Sequence, residues 1–257
     1  VVSLATPTKE YDLVNLRNDA DAQLSLLLLN MVLNHSALSI RNAVSSDLTD
    51  FACSISQAQS KTLMESPHRS SSFSEIIIAS NAEESSHEWI QPISEENVQV
   101  FCSSQDERAI LDAVARFGYE FRKRRQNERK LDIAIHGVPY VIDILQWFPF
   151  TTERKRTTVV VRFRQQLFLF CKGADSVVLP LLAPEERDNA SVGAFIDRSS
   201  HQAYRTLVFA GKHLSETEYA NWEQTLLSAG YSASSVPESL QRQLEADQRL
   251  EGAIAIQ

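Results

Sequence analysis

The sequence predicts an α+β domain built on an antiparallel sheet, and three features of its second half carry that expectation. A capped helix comes first, short β-branched and aromatic runs joined by tight turns follow, and helical patterns then return before the C-terminus. Residues 103–118, SSQDERAILDAVARFG, supply the helix. Ser103 or Ser104 is placed to cap it, Asp106 and Glu107 sit in the first turn where the helix dipole favours acids, and Ile110, Leu111 and Val114 fall at helical spacing before Gly118 stops it. The strand runs cover 119–122, 131–135, 140–147, 157–164 and 166–171. Strands joined so tightly pair antiparallel, because a parallel pair needs a crossover of about a dozen residues or more. Helical patterns occupy 175–182, 190–202, 215–229 and 237–250, with one more strand at 205–210. Ser215, with Glu218 three residues on, has the form of a capping box.

The first hundred residues differ in character. Residues 19–38, DADAQLSLLLLNMVLNHSAL, hold too many apolar positions for a solvent-facing helix and read as a buried one. From 39 to 96 Ser, Asn, Gln and Glu dominate without a persistent period, which reads as a polar, partly flexible insertion. Within it, 73–79 (FSEIIIA) and 87–93 are candidates for short strands or a docking segment. The ordered core is expected over 97–257, within a single domain spanning 1–257.

Of the 257 residues 43% are hydrophobic and 23% charged, and the formal net charge is -8. That acidity argues against a nucleic-acid partner, since phosphate neutralisation needs locally dominant Lys and Arg. The basic cluster Arg122–Arg125, with Arg129 and Lys130, reads as a solvated turn or helix end in preference to a polyanion site. Cys53, Cys102 and Cys171 are widely spaced and odd in number, which suggests neither a zinc site nor a disulfide framework and fits a reducing compartment. The most apolar run, 24–33, falls well short of the roughly 20 residues that span a bilayer, so no membrane insertion is expected of this chain. The six histidines sit in unrelated contexts with no nucleophile–base motif beside them, which gives no support to an independent hydrolase.

Three strings carry candidate chemistry. CKGAD, 171–175, follows an apolar strand and opens a helix-like run. Lys172 at such a junction supplies charge for an anion and Gly173 lets a ligand approach the backbone, while the same residues also make an ordinary turn. In FPFTTERKRTTVVVRF, 148–163, Phe150 offers a face for stacking on a base, or is simply core. In YRTLVFAGKHLSETEYANW, 204–222, Arg205 opens a strand, where it could grip a phosphate through paired hydrogen bonds or make a surface ion pair.

In this order and spacing these strings, with SSQDERAILDAVARFGYEF and the closing LEGAIAIQ, resemble the nucleotide-binding (N) domain of type-IV P-type ATPases, the phospholipid flippases. The resemblance covers about three-fifths of the chain well; LSLLLLNMVLNHSAL also resembles the segment after that family's phosphorylation loop. It implies an N-domain-like α+β fold, a twisted antiparallel sheet flanked by helices. It implies ATP as ligand, with Mg2+ in the parent protein. Glu107 would face the adenine side, Phe150 stack on the base, Lys172 sit at the base of the pocket, Gly173 keep the approach open and Arg205 reach toward the phosphates. Thr151 and Arg156 would line the same edge, and Asp175 would fix the strand-to-helix corner.

The phosphorylated aspartate and the magnesium-binding acids of such ATPases lie in a separate domain, and their marker strings are absent here. The chain is therefore expected to bind ATP without catalysis, as one domain of a longer chain on the cytosolic face of a membrane, with phosphorylation and actuator domains as partners. Pro149, Thr151, Glu153, Ala203 and Tyr204 depart from the residues usual in the family, all at the pocket rim. They leave open an N domain fused to a guanylate cyclase, or a scaffold that has lost ATP.

Overall fold

The computed structural model describes residues 1–12, 22–41 and 98–257. Two short strands, β1 (Ser3–Ala5) and β2 (Glu10–Asp12), precede helix α1 (Ala22–Leu33) and an antiparallel pair, β3 (Leu38–Arg41) and β4 (Val98–Phe101). Helix α2 (Gln105–Ala115) then leads into five consecutive strands: β5 (Tyr119–Arg125), β6 (Lys130–Ile135), β7 (Val138–Phe148), β8 (Arg156–Phe163) and β9 (Gln166–Gly173). The remainder is α3 (Asp175–Val178), α4 (Ala190–His201), β10 (Arg205–Leu214), α5 (Glu216–Ser228), α6 (Glu238–Leu244) and β11 (Arg249–Ile256). All strands but β3 and β4 join one antiparallel sheet in the order β2-β1-β11-β10-β9-β8-β7-β6-β5, which puts β9 at its centre.

Both faces of the central strands are covered, which is why QLFLF and TTVVV read as continuous apolar runs. Along β9 the side chains still alternate. Phe168 and Phe170 join the core beneath α1 and α2, whereas Leu167, Leu169 and Cys171 join the core beneath α3–α6. The next residue on the first face is Lys172.

The predicted α2 starts at Ser104, whose hydroxyl accepts from the Glu107 backbone N–H at 3.1 Å, and Gly118 follows its end at φ 79°. The Ser215 hydroxyl likewise accepts from the Glu218 N–H at 3.0 Å, but the Glu218 carboxylate turns to Lys212. Asp175 accepts from the Ser176 N–H at 2.6 Å and opens α3 directly after β9. Three expectations need correction. The helix expected over 237–250 ends at Leu244, because 249–256 are held as a strand between β1 and β10, partners far away in sequence. The strand expected over 205–210 runs on to Leu214 beside β9. Most of the basic cluster is neither turn nor helix end: Arg122–Arg125 lie in β5, with Arg122 paired to Glu120 and Arg125 to Asp132, and Lys130 opens β6, while Arg129 alone sits in the turn between them at φ 52°. The candidate strands at 73–79 and 87–93 lie outside the described residues.

Helix α1 is buried nearly all round, as its composition requires, and Asn30 within it and Asn34 just after it reach into the sheet. Asn30 donates to the carbonyls of Cys171 (3.2 Å) and Ala210 (3.1 Å) and to the Glu251 carboxyl (2.7 Å). Asn34, one turn on, donates to the carbonyls of Thr157 (3.1 Å) and Phe170 (3.2 Å). Glu251 occupies the irregularity where β11 carries one more residue than β10, and that brings its side chain to Asn30. Burial pushes its carboxyl up to about 8, with the Asn30 hydrogen bond pulling the other way. Between the ordinary 4.5 and about 8 the unfolded chain is ionised where the folded chain is not, so this group erodes stability as pH rises through that window. Glu251→Gln, which keeps the shape and the Asn30 contact, should therefore gain on the unaltered protein by a few kcal/mol between pH 5 and pH 8. Urea unfolding of both at the two pH values checks this, and parallel pH profiles would contradict it.

Candidate functional site

The site forms where the C-terminal end of β9 meets the start of α2 and the turn after α1. Lys172 projects from β9 toward these helices and is only 7% exposed. Its ammonium lies 3.7 Å from Glu107 Oε1, and among the described residues Nζ has no hydrogen-bond partner. Burial pulls the Lys172 pKa below that of an ordinary lysine, with Glu107 opposing the shift.

Glu107 is the third residue of α2, where a capping-box acid would fold back on its own helix. Here it reaches across to the turn after α1 instead. Oε1 accepts from the Ser36 backbone N–H at 2.9 Å, and Oε2 accepts from the hydroxyls of Ser36 (2.6 Å) and Ser103 (2.9 Å). Burial raises its pKa, yet Lys172 and these donors outweigh burial and hold the carboxyl below its usual value. Asp106, beside it, takes Arg205 Nη1 at 3.0 Å, so the first turn of α2 gathers both candidate cations. Arg205 is 67% exposed, and such a surface pair yields easily to a competing anion.

Behind Lys172, Arg124 donates to the carbonyls of His35 and Ala37 and lies 4.1 Å above the Trp147 ring. Burial pushes this guanidinium down to about 10, against the pull of Glu107. Burial, with Arg124 and Lys172 nearby, holds His35 well below its ordinary range, so the ring is neutral; its Nδ1 accepts from the Ala37 N–H at 3.0 Å. Ser36, Ser103, Asp106 and Arg124 were not among the sequence candidates for the site. Arg124 sat inside the basic cluster and Ser103 was read only as a helix cap, whereas Ser36 carried no signal, since it acts through residues far along the chain.

Phe150 belongs to the loop between β7 and β8 and is 57% exposed, so it is not core. Thr151 shapes that loop: its hydroxyl accepts from the Arg154 N–H (3.1 Å) and its carbonyl from the Lys155 N–H (2.8 Å). The Lys155 carbonyl in turn accepts from the Ala174 N–H at 3.2 Å, next to CKGAD. Gly173 makes this approach possible, because a Cβ there would stand 2.6 Å from the Lys155 carbonyl oxygen. The glycine thus seats the Phe150 loop against the strand that carries Lys172.

Arg156 goes elsewhere. Its cross-strand neighbour is Gly173, whereas Thr157 faces Lys172, and antiparallel partners share a face of the sheet. Arg156 therefore points to the α6 side, where it donates to Glu245 (Nε 3.0 Å, Nη2 2.6 Å) and Glu238 (2.9 Å). Of the sequence candidates, Glu107, Lys172 and Arg205 meet through α2, Phe150, Thr151 and Gly173 meet through the loop, and Arg156 is turned away from both sets.

A family model described as P-type ATPase, cytoplasmic domain N, matches residues 73–257. Among curated proteins the chain is 29% identical over 159 residues to human phospholipid-transporting ATPase IC, covering 60% of this chain and 12% of that protein. It is 35% identical over 138 residues to the probable phospholipid-transporting ATPase 5 of Arabidopsis thaliana (51% and 11%) and 33% identical over 166 residues to human phospholipid-transporting ATPase VD (60% and 11%). The chain spans only 11–12% of the length of these relatives. With the family model covering most of the chain, and a central antiparallel sheet flanked by helices on both faces, the protein belongs to the P-type ATPases as their cytoplasmic domain N.

Proposed function

We propose that this domain binds ATP, with adenine stacked on Phe150, the Lys172 ammonium at the bottom of the pocket and Arg205 turned to the phosphates. The observation that carries the reading is the Lys172 ammonium, buried and without a hydrogen-bond partner among the described residues. A buried donor left unmade costs about 1–3 kcal/mol, and more for a charged group, which a ligand acceptor recovers on binding. Glu107 holds the end of α1 against α2 and faces Lys172; Oε2 already accepts two hydroxyls, so its part is to shape the adenine side and balance the lysine. Gly173 and Thr151 set the loop that presents Phe150, and Arg156 supports that loop from the other face.

Within a longer chain, the domain would carry the γ-phosphate to an aspartate of a separate phosphorylation domain, with Mg2+ accompanying the triphosphate. The similarity to phospholipid-transporting ATPases supports a lipid translocase as that parent, with the domain on the cytosolic side of the membrane beside phosphorylation and actuator domains. No helix among the described residues is long and apolar enough to cross a membrane.

Titration of the 257-residue chain with ATP, followed by amide chemical shifts, should move the signals around Phe150, Lys172 and Arg205. Shifts confined to other regions would overturn the site, and no binding at millimolar ATP would leave a scaffold. Phe150→Ala should lose about 1–3 kcal/mol of ATP affinity, the scale of one lost base stack, in a calorimetric titration. Lys172 loses its proton below the 10.5 of an ordinary lysine, so ATP affinity should fall with rising pH earlier than an exposed lysine would allow. Lys172→Met should be weaker at neutral pH and lack this fall; an identical pH profile in the variant would refute the assignment.

A further inference from the structure

We infer that Glu245, on the face of the sheet opposite the candidate pocket, is a positioning residue for nucleotide binding: it fixes the Phe150 loop through Arg154 and Arg156. This rests on the ATP-binding reading above and adds the C-cap residue of α6 to it.

The loop leaves β7 at Phe148 and enters β8 at Arg156, and both ends are anchored on the α6 side. Phe148 is buried against Trp222, with ring centroids 6.3 Å apart, and the Arg154 guanidinium lies 5.4 Å above the Phe148 ring. Between these anchors residues 149–153 are exposed, so the seat of Phe150 depends on how firmly the ends are held. The hold is electrostatic. Glu245 is fully buried and accepts from Arg154 Nη2, from Arg156 Nε and Nη2, and from the Thr158 hydroxyl.

Two buried guanidinium groups side by side repel unless a carboxylate lies between them. Glu238 also reaches both, at 3.4 Å to Arg154 and 2.9 Å to Arg156, but it is 43% exposed and its charge is screened by water. Glu245 is thus the charge that keeps Arg154 folded inward. Arg154 is linked in turn to Phe150 by a single turn of backbone, since its N–H donates to the Thr151 hydroxyl at 3.1 Å. Losing the buried charge would let Arg154 seek water and carry Thr151 and Phe150 out of register with Lys172.

A double-mutant cycle on ATP affinity tests this, using calorimetry on the 257-residue chain and its Glu245→Gln, Phe150→Ala and doubly substituted forms. Glu245→Gln should weaken ATP binding about tenfold, equivalent to about 1.4 kcal/mol, when Phe150 is present, and less than about twofold when Phe150 is already Ala. An equal loss in both backgrounds would show that Glu245 acts on general stability and not through the ring, and would overturn the inference. ATP binding that Glu245→Gln leaves unchanged overturns it alone, while an unaltered chain that binds no ATP overturns the nucleotide reading and this inference together. If Glu245→Gln does not fold, Arg154→Met, which keeps apolar bulk over Phe148 and cuts the same link, replaces it in the cycle with the same expected and opposing results.

Discussion

A central strand covered on both faces cannot end in an unpaired charge, and this constraint at β9 organises the molecule. Its last two residues and their cross-strand neighbours bring Lys172 to one face and Arg156 to the other. Each cation is met by a carboxylate from a helix lying over that face or its cap, Glu107 in α2 and Glu245 at the C-cap of α6. Removing one partner of such a buried pair typically costs about 3–5 kcal/mol, so both helices are fixed where their acids are needed.

The two faces solve the same problem differently. On the α6 side the carboxylate is shared by two guanidinium groups and a threonine hydroxyl, a dense arrangement with close hydrogen bonds. On the α2 side the carboxylate takes its hydrogen bonds from Ser36 and Ser103 and leaves the ammonium at 3.7 Å, near enough for attraction and too far for a hydrogen bond. The first arrangement is closed and structural. The second leaves a buried ammonium without a hydrogen-bond partner among the described residues, and this is the feature on which the proposed ATP site rests. Helix α1 and the turn after it complete that face: Asn30 and Asn34 reach into the sheet, and the carbonyls of His35 and Ala37 accept from Arg124.

The same constraint accounts for the basic string ERKR. Arg154 and Arg156 are buried against acids, Lys155 is exposed, and its carbonyl touches the backbone after Gly173. The turn thus carries one exposed charge, Lys155, between two buried ones, Arg154 and Arg156. The similarity to phospholipid-transporting ATPases thus falls on a chain in which this loop is supported by packing from behind.

The sequence by itself determined the class of fold, the capped helix α2, most of the meander from β5 to β9, and the junction at CKGAD. These depend on local spacing, capping residues and tight turns, which a single segment carries within itself. It did not determine β11, whose small residues (GAIAI) become a strand only between β1 and β10, partners drawn from opposite parts of the chain. Nor did it determine which face Arg156 would take, because strand register inverts every side chain when it moves by one residue. The partners of Glu107 were equally invisible, since Ser36 lies 71 residues away along the chain. Tertiary structure decided these points because burial on both faces obliges each charge at the end of β9 to find its counter-charge, and that choice is made between elements and not within them.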